Sequence, residues 1–296
     1  MPRRRSHALQ RALDIVLLLS PAVIVIVVLF AGGVAMGFLQ SLGYLPAAGF
    51  NELSGTAYLE VVRSAGFLHS LALTLWVSLM TTIVTVILAV LTALVLRRAF
   101  RGRALLTFLY QFPLTVPHIV VAAGMITLVS QSGLLARISY HLGLISEQAQ
   151  FPALVHDDWG IGIMLVYLWK QVPFIGLIAL AVLQSVGEDY EELARSLGAS
   201  GWQRIRHVLF PLMLPGLIPG SVIIFAFVFG SFEVPYLLGE SFPTMLSVLS
   251  YRLYIDTDLA LRPQAMAVSV IIAILVLGMV AIYQQLTRGY TEQGEP

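Results

Sequence analysis

The sequence predicts an all-α integral membrane protein with six transmembrane helices and with both termini on the cytoplasmic side. Three observations support this prediction. Of the 296 residues, 58% are hydrophobic and only 11% are charged, whereas soluble domains carry about 25% charged residues. Six segments are long and almost continuously apolar, and the arginines concentrate in alternate connections between these segments.

The six apolar segments define a single domain over residues 1–296. A helix needs roughly 20 apolar residues to cross a bilayer, and in lipid an open chain satisfies its backbone groups only as a helix. The first segment is too long for the apolar region of a signal peptide, so we expect it to remain as a membrane anchor. The predicted spans are residues 12–39, 69–96, 104–131, 159–186, 210–238 and 263–287.

The arginines predict the orientation, because positively charged residues favour the cytoplasmic side of a membrane. With the N-terminus inside, the cytoplasmic segments hold twelve arginines and the outer segments hold four. The twelve are Arg3, Arg4, Arg5, Arg11, Arg97, Arg98, Arg101, Arg103, Arg195, Arg204, Arg206 and Arg288. The four are Arg63, Arg137, Arg252 and Arg262. Both termini and the polar segment at residues 187–209 are therefore predicted to be cytoplasmic.

Several chemistries lack the residues that they need. The chain has no cysteine, which excludes thiolate metal sites and cysteine nucleophiles. A net charge of +1 argues against a broadly basic nucleic-acid binder. Lys170 is the only lysine and lies inside a span, so the phosphate-binding loop of an ATPase is absent. We expect no catalytic residue, no metal and no cofactor, and we interpret His156, Asp157 and Asp158 as a hydrated external rim.

The polar segment at residues 187–209 lies between the fourth and fifth spans and predicts two short helices. Acidic residues gather at the start of the first helix, where they favour the positive helix end. Gly198 stands where a left-handed residue would close that helix. Ser200 with Gln203 three residues later is a capping-box pattern for the second helix, which we expect Pro211 to end. The simplest alternative is an amphipathic hairpin that only links the two spans.

The same segment contains the pattern Glu192-x-Ala194-x-x-x-Gly198, nine residues, and then Val208-x-Phe210-Pro211. This pattern resembles the EAA loop of permease subunits from binding-protein-dependent ABC importers, which is Glu-Ala-Ala, three residues, Gly, nine residues, Ile-x-Leu-Pro. The spacing matches throughout, with apolar replacements inside the pattern. The sequence also resembles the spermidine/putrescine-type branch of these permeases in the phrases Trp169-Lys170-x-x-Pro173-Phe174 and Phe232-Glu233-x-Pro235-x-Leu237-Leu238-Gly239.

The resemblance implies a type I importer permease with a cytoplasmic coupling helix between helices 4 and 5. The chain would be a non-catalytic subunit that forms half of a translocation path and docks on a separate ATPase. The residues that match the coupling role are Glu191, Glu192, Ala194, Gly198, Trp202, Arg206 and Pro211.

The implied partners are a pair of cytoplasmic ATP-binding subunits, a second permease subunit that is identical or homologous, an external solute-binding protein and the lipid bilayer, with no nucleic acid. The implied location is the inner membrane of a bacterial cell, as a multi-pass protein. Polyamine is a candidate solute, and thiamine, ferric ion, sulfate and organophosphonate remain open.

The candidate residues for the translocation path are Lys170, Pro173, Pro117, Glu233 and Tyr236. A charge at the centre of a span costs about 2.5–3.5 kcal/mol, so an intramembrane charge is a functional candidate. One interpretation is that Lys170 lines the path or fixes an inter-helix contact. The other is that it bonds carbonyl groups of a packed neighbour and serves assembly only. Glu233 falls near the outer face, either in an outer gate or as a hydrated interfacial carboxylate. Pro173 lacks a backbone donor and is expected to open its helix and expose carbonyl groups. Pro117, at the start of the third span, is expected to kink its helix around a cavity or to be an ordinary kink.

The alternative function is a secondary transporter or channel that works without an ATPase. Such a protein would need intramembrane carboxylates or cation sites, and the spans offer only Glu233, near one edge. The alternative also leaves the ordered polar segment without a role. A requirement for ATP hydrolysis distinguishes the two functions.

Overall fold

The structure is a computed structural model that describes residues 15–98, 101–186 and 189–291. The four arginines near the N-terminus, which are predicted to be cytoplasmic, lie outside these residues. So do the first two residues of the polar segment and the side chain of Arg288. Within the described residues the chain is helical, and the only β pairing there is an isolated bridge between Leu45 and Phe50.

The described residues form twelve helices and, between them, three 3-10 turns. The helices are α1 (Ile15–Ser41), α2 (Thr56–Arg63), α3 (Ala65–Leu96), α4 (Arg103–Thr115), α5 (His118–Val129), α6 (Leu134–His141), α7 (Ile161–Val186), α8 (Asp189–Ser196), α9 (Gly201–Gly230), α10 (Glu233–Leu238), α11 (Leu246–Ile255) and α12 (Arg262–Thr291).

Six helical stretches of the described chain are long and apolar enough to cross a membrane, which confirms the predicted all-α protein with six spans. They are Ile15–Ser41, Ala65–Leu96, His118–His141, Ile161–Ser185, Gly201–Gly230 and Leu259–Gln285.

The region of the third predicted span, residues 104–131, is divided into α4 and α5 at Val116 and Pro117. A proline disfavours the helical conformation of the residue before it. Val116 accordingly is extended, with φ −85° and ψ 129°. The proline therefore accounts for the division of this span.

Helix α9 begins well before Pro211 and runs through it, so the expectation that Pro211 ends a short helix is wrong. A π-helical turn at Ile205–Leu209 comes just before the proline. Proline has no N–H to donate, and a wider turn is a common way for a helix to absorb such a local defect. The polar segment is thus continuous with the fifth span.

The chain divides into two compact units. The first is Met1–Arg63 with Ser250–Val270, and the second is Ser64–Leu249 with Ile271–Pro296. In the first unit, the apolar side chains of α1 are exposed, as expected of a helix that faces lipid. The Tyr58 hydroxyl forms a 2.7 Å hydrogen bond with Ser41, and the Gln264 amide donates to Glu60 at 2.8 Å. These polar contacts fix α2 within its own unit.

The second unit is built around α3, α7 and α9, which pack against one another. Their facing sides bury apolar side chains that include Val77, Ile175 and Ile224. Gly220 of α9 lies so close to Ile175 of α7 that an added Cβ would overlap it. Small residues at such positions let membrane helices approach closely, so α7 and α9 form a tight pair.

Candidate functional site

The polar element, which we define as residues 189–209, begins with α8 and a tight chain reversal. The N–H of Gly198 donates to Arg195 O at 2.9 Å, and the N–H of Ala199 donates to Ala194 O at 3.0 Å. These two bonds form a Schellman motif. Gly198 has φ 82°, which confirms the predicted left-handed residue. An added Cβ there would meet nothing within 4 Å, so the backbone conformation, and not space, requires glycine.

The second half of the polar element begins with the predicted capping box. The N–H of Ser200 donates to Gln203 Oε1 at 2.8 Å, and the N–H of Gln203 donates to Ser200 Oγ at 3.4 Å. Such a cap stabilises a helix start by about 1 kcal/mol. The capping box is therefore confirmed, and the two helices of the element meet at a fixed reversal.

Glu191 ties the polar element to the rest of the second unit. Its carboxylate accepts a hydrogen bond from Arg97, the residue after α3, and one from Arg204 Nη1 at 2.8 Å. Only 16% of the Glu191 side chain is exposed. Hydrogen bonds to charged groups contribute about 1.5–3 kcal/mol each. One carboxylate thus holds α8, α9 and the C-terminal end of α3 together.

The outward face of the polar element carries large apolar side chains. Leu193 is 61% exposed, Leu197 is 81% exposed and Trp202 is 67% exposed. We call these three residues the apolar patch. Glu192 and Arg206 are also exposed, and Ala194 is half-buried. Exposed aromatic and aliphatic side chains on an ordered, otherwise polar segment are typical of a protein-binding surface.

The first helix break, at Val116 and Pro117, is completed by a side chain from α7. The Lys170 ammonium donates to Val116 O and lies 3.5 Å from Leu114 O. These carbonyls lie where the helical hydrogen-bond ladder ends, and Lys170 is only 6% exposed. Lys170 thus bonds carbonyl groups of a packed neighbour, and its place on the translocation path stays a prediction.

The second helix break, at Ser231 and Phe232, separates α9 from α10. The hydroxyl of Tyr167, on α7, forms a hydrogen bond with Ser231 Oγ, and Ser247 Oγ donates to Ser231 O at 2.5 Å. Tyr167 is fully buried. The backbone of this break is therefore fixed by side chains from α7 and α11.

The two side chains that bond the helix breaks, Tyr167 and Lys170, lie on one face of α7. They are three residues apart, and such residues are neighbours on a helix surface. His118 is the first residue of α5, and its ring lies beside this face. Its centroid lies 4.9 Å from that of Phe227 and 6.1 Å from that of Tyr167. Its Nε2 atom is buried and has no hydrogen-bond partner in the described chain. The two breaks thus meet across a shared aromatic cluster.

The other residues predicted for the translocation path fall into two groups. Pro173 is buried within α7, which continues through it without a break. Pro117, Glu233 and Tyr236 are exposed at the two helix breaks or just beyond them. Tyr236 stacks on Phe232 with ring centroids 5.1 Å apart. Exposed residues of this second group are available to a solute or to another subunit.

Sequence reasoning missed three residues that organise these regions. Arg97 was counted only for membrane orientation, although it pairs with Glu191. Tyr167 and Ser231 were not singled out, although they hold the second helix break. The sequence signal for that break is Gly230-Ser231 followed by Pro235, a small-residue pair before a proline.

The predicted external rim includes Asp157, which caps the start of α7. Its carboxylate accepts from the N–H groups of Trp159 at 3.1 Å, Ile161 at 2.8 Å and Gly162 at 3.2 Å. This is the role of an acidic residue at a helix start. In the described part of the chain, no group of three or more metal-binding side chains is arranged to hold an ion.

Comparison with known families finds that residues 85–289 match the model described as "Binding-protein-dependent transport system inner membrane component". This match covers the helix breaks and the whole polar element.

Similar curated proteins include permeases with different solutes in their names. The sulfate transport system permease protein CysT of Salmonella typhimurium is 27% identical over 234 residues, which cover 78% of this chain and 81% of that protein. The probable sulfate transport system permease protein of Marchantia polymorpha is 30% identical, covering 69% of this chain and 66% of that protein. The thiamine permease ThiP of Brucella suis is 28% identical, covering 90% of this chain and 49% of that protein.

Among solved structures, a chain of a bacterial alginate ABC transporter in complex with an alginate-bound periplasmic protein has the same fold. It superposes with a TM-score of 0.78 at 20% identity, covering 96% of this chain and 97% of that chain.

Proposed function

Because the chain belongs to the family of binding-protein-dependent transport system inner membrane components, we propose that it is one of two permease subunits in an ABC importer. It forms half of the translocation path and works with a separate pair of cytoplasmic ATP-binding subunits. An external solute-binding protein delivers the solute. The second permease subunit is identical or homologous, and the assembly lies in the inner membrane of a bacterial cell.

The apolar patch on the polar element is the observation that supports ATPase docking. Leu193, Leu197 and Trp202 are exposed on a segment whose backbone is fixed by a Schellman motif and a capping box. A rigid surface with an aromatic anchor suits a protein interface. The predicted cytoplasmic side places this surface where a soluble ATPase can reach it. Glu192, Ala194 and Arg206 complete the proposed contact surface, and Pro211 continues it into the fifth span.

The helix breaks support the assignment of the path. Non-helical backbone at membrane depth is tolerated only where it is buried in protein or lines a water-filled cavity. Pro117 lies at the first break and Glu233 directly follows the second, and both are exposed in the isolated chain. We propose that Pro117, Glu233 and Tyr236 face the path, between this subunit and the second permease. Lys170 and Pro173 are buried in α7 and stabilise the segments that line the path.

The solute is the least constrained part of the proposal. The names of similar proteins include sulfate, thiamine and trehalose/maltose, so these relatives do not single out the spermidine/putrescine-type branch. Polyamine remains our first candidate because the exposed Glu233 carboxylate would attract a cation. Binding assays of the associated solute-binding protein with spermidine, thiamine and sulfate test this choice. Binding of thiamine or sulfate without binding of spermidine would rule out polyamine.

Reconstituted uptake tests the proposed function against the alternative of a channel or secondary transporter. The chain is placed in vesicles with its second permease, ATPase and binding protein, and solute uptake is measured with ATP and with a non-hydrolysable analogue. We expect uptake only with hydrolysable ATP. Trp202→Ala should abolish co-purification of the ATPase, whereas Trp159→Ala, at a similarly exposed tryptophan before α7, should not. Uptake by the chain alone would contradict the proposal.

A further inference from the structure

A cavity of about 560 Å³ lies beside the polar element, in the second unit. It is bounded by the end of α3, the start of α4, the last turns of α7 and the inward side of α8. Leu183 and Gln184 of α7 line it, and they lie within the last turn of a membrane span. The cavity is therefore at the predicted inner boundary of the membrane.

The lining of this cavity is strongly basic, with five arginines against two glutamates. Glu191 is already shared by Arg97 and Arg204. The remaining arginines are Arg98, Arg103 and Arg195, and no carboxylate of the described chain pairs with them. Even after Glu192 is counted, the described residues of the lining hold uncompensated positive charge. The Arg204 Nε atom is also buried without a hydrogen-bond partner in the described residues.

Guanidinium groups bind phosphate oxygens through parallel hydrogen bonds. Basic pockets between transmembrane helices on the cytoplasmic side suit anionic lipid head groups. The three residues of the apolar patch are not among those that line the cavity. Glu192 lies at the edge shared by the cavity and the surface assigned to ATPase docking, but the apolar patch and the basic cavity are different faces of the polar element. This separation favours a ligand from the membrane over a protein partner.

We propose that this cavity binds the phosphate of an anionic phospholipid from the inner leaflet. Arg103 and Arg195 hold the phosphate, and Arg98 at the mouth adds to the attraction. A bound lipid would link α4 to α8 through its head group and so stabilise the position of the polar element. The inference rests on the proposed function only for the side of the membrane on which the element lies.

Native mass spectrometry tests this site on the full chain, without any ATPase. The chain is reconstituted in an equimolar mixture of phosphatidylcholine and phosphatidylglycerol, extracted again, and its retained lipids are identified. We expect phosphatidylglycerol to be retained in preference to phosphatidylcholine. The double variant Arg103→Gln/Arg195→Gln should lower this preference at least about tenfold, and Arg103→Lys/Arg195→Lys should keep most of it.

The matched control is Arg101→Gln/Arg206→Gln, which removes the same charge from the same two connections. Both of these arginines are exposed and neither lines the cavity, so retention should equal that of the unchanged chain. Equal losses in the two glutamine double variants, or no preference for the anionic lipid, would overturn the proposal.

Two competition experiments distinguish other ligands of the same chemistry. Displacement of phosphatidylglycerol by inorganic phosphate, at millimolar rather than molar levels, would assign the site to a free phosphate. Release of the lipid on addition of the ATPase would assign the cavity to the protein partner. Retention in both experiments supports the lipid. Because none of these measurements uses transport, failure of the importer function would be seen separately, in the uptake assay.

Discussion

The chain reversal in the polar element and the pair of helix breaks obtain their order from opposite kinds of contact. The reversal in the polar element is fixed by neighbours in the sequence, such as Ser200 with Gln203. The breaks are fixed by α7 side chains that lie 54 residues from Val116 and 64 residues from Ser231. The element exposes apolar side chains, whereas the breaks bury polar ones. A chain reversal can thus be built locally, while an interrupted membrane helix depends on distant donors.

If this contrast is correct, the largest effect on stability comes from Lys170→Met. Methionine removes the donor to Val116 O while nearly keeping the length of the side chain. A buried polar group without a partner costs about 1–3 kcal/mol, so we expect destabilisation of about 2 kcal/mol in thermal unfolding, with loss of uptake. ATPase co-purification should persist, because the polar element is untouched. Lys170→Arg, which keeps a donor, is the control, and unchanged flux in the methionine variant would contradict the proposed support.

The next largest effect is expected from Glu191→Gln, which removes the charge shared by Arg97 and Arg204. We expect about 1–2 kcal/mol of local destabilisation, measured as faster hydrogen exchange of the α8 amides in the chain alone. Glu192→Gln is the matched control, since Glu192 is exposed and has no ion pair with the described residues. Equal exchange in the two variants would mean that the carboxylate does not hold α8.

A smaller effect tests the second helix break. Tyr167→Phe removes one hydroxyl and leaves Ser231 Oγ without that partner, so we expect a loss of about 1 kcal/mol of unfolding free energy. Tyr190→Phe removes the same atom from an exposed ring of the polar element and should be neutral. If the thermal unfolding of both variants matched that of the unchanged chain, the contrast between the two regions would fail.

An effect on stability of similar size, and the sharpest effect on coupling, should come from Gly198→Ala. A left-handed conformation costs an alanine about 1 kcal/mol, and the strain is local because the new Cβ has open space. We expect a normally inserted protein with a raised ratio of ATP hydrolysed to solute taken up. Gly198→Asn, which tolerates this conformation, should restore the ratio. An unchanged ratio in the alanine variant would remove the reversal from the coupling mechanism.

The sequence was sufficient for features whose cause is local or compositional. The six spans follow from the length of the apolar segments. The residue types at Gly198 and Ser200 predict the chain reversal. The spacing of the motif in the polar element also led to the family that was found. Each of these features depends on a short stretch of chain, so a single sequence contains the whole signal.

The remaining features depend on which segments meet in space. No pattern near Lys170 indicates that its acceptor is Val116 O, and no pattern near Tyr167 indicates Ser231. Pro211 is expected from the sequence to stop a helix, but the π-helical turn before it accommodates the hydrogen bond that proline cannot donate. Assignments of individual residues to the path and to ATPase contact remain predictions, because those surfaces are completed by other subunits.

The shared carboxylate of Glu191 has a mechanical consequence. A load applied at Trp202 reaches the membrane helices by two routes: along α9 itself, and through Arg97 into α3, which packs along α7. The second route passes through a single side chain, that of Glu191. Helix α7, on which α3 packs, carries Tyr167 and Lys170. In the proposed importer, we expect the stiffness of the contact between Glu191 and Arg97 to set how much of a movement at Trp202 is transmitted to Tyr167 and Lys170.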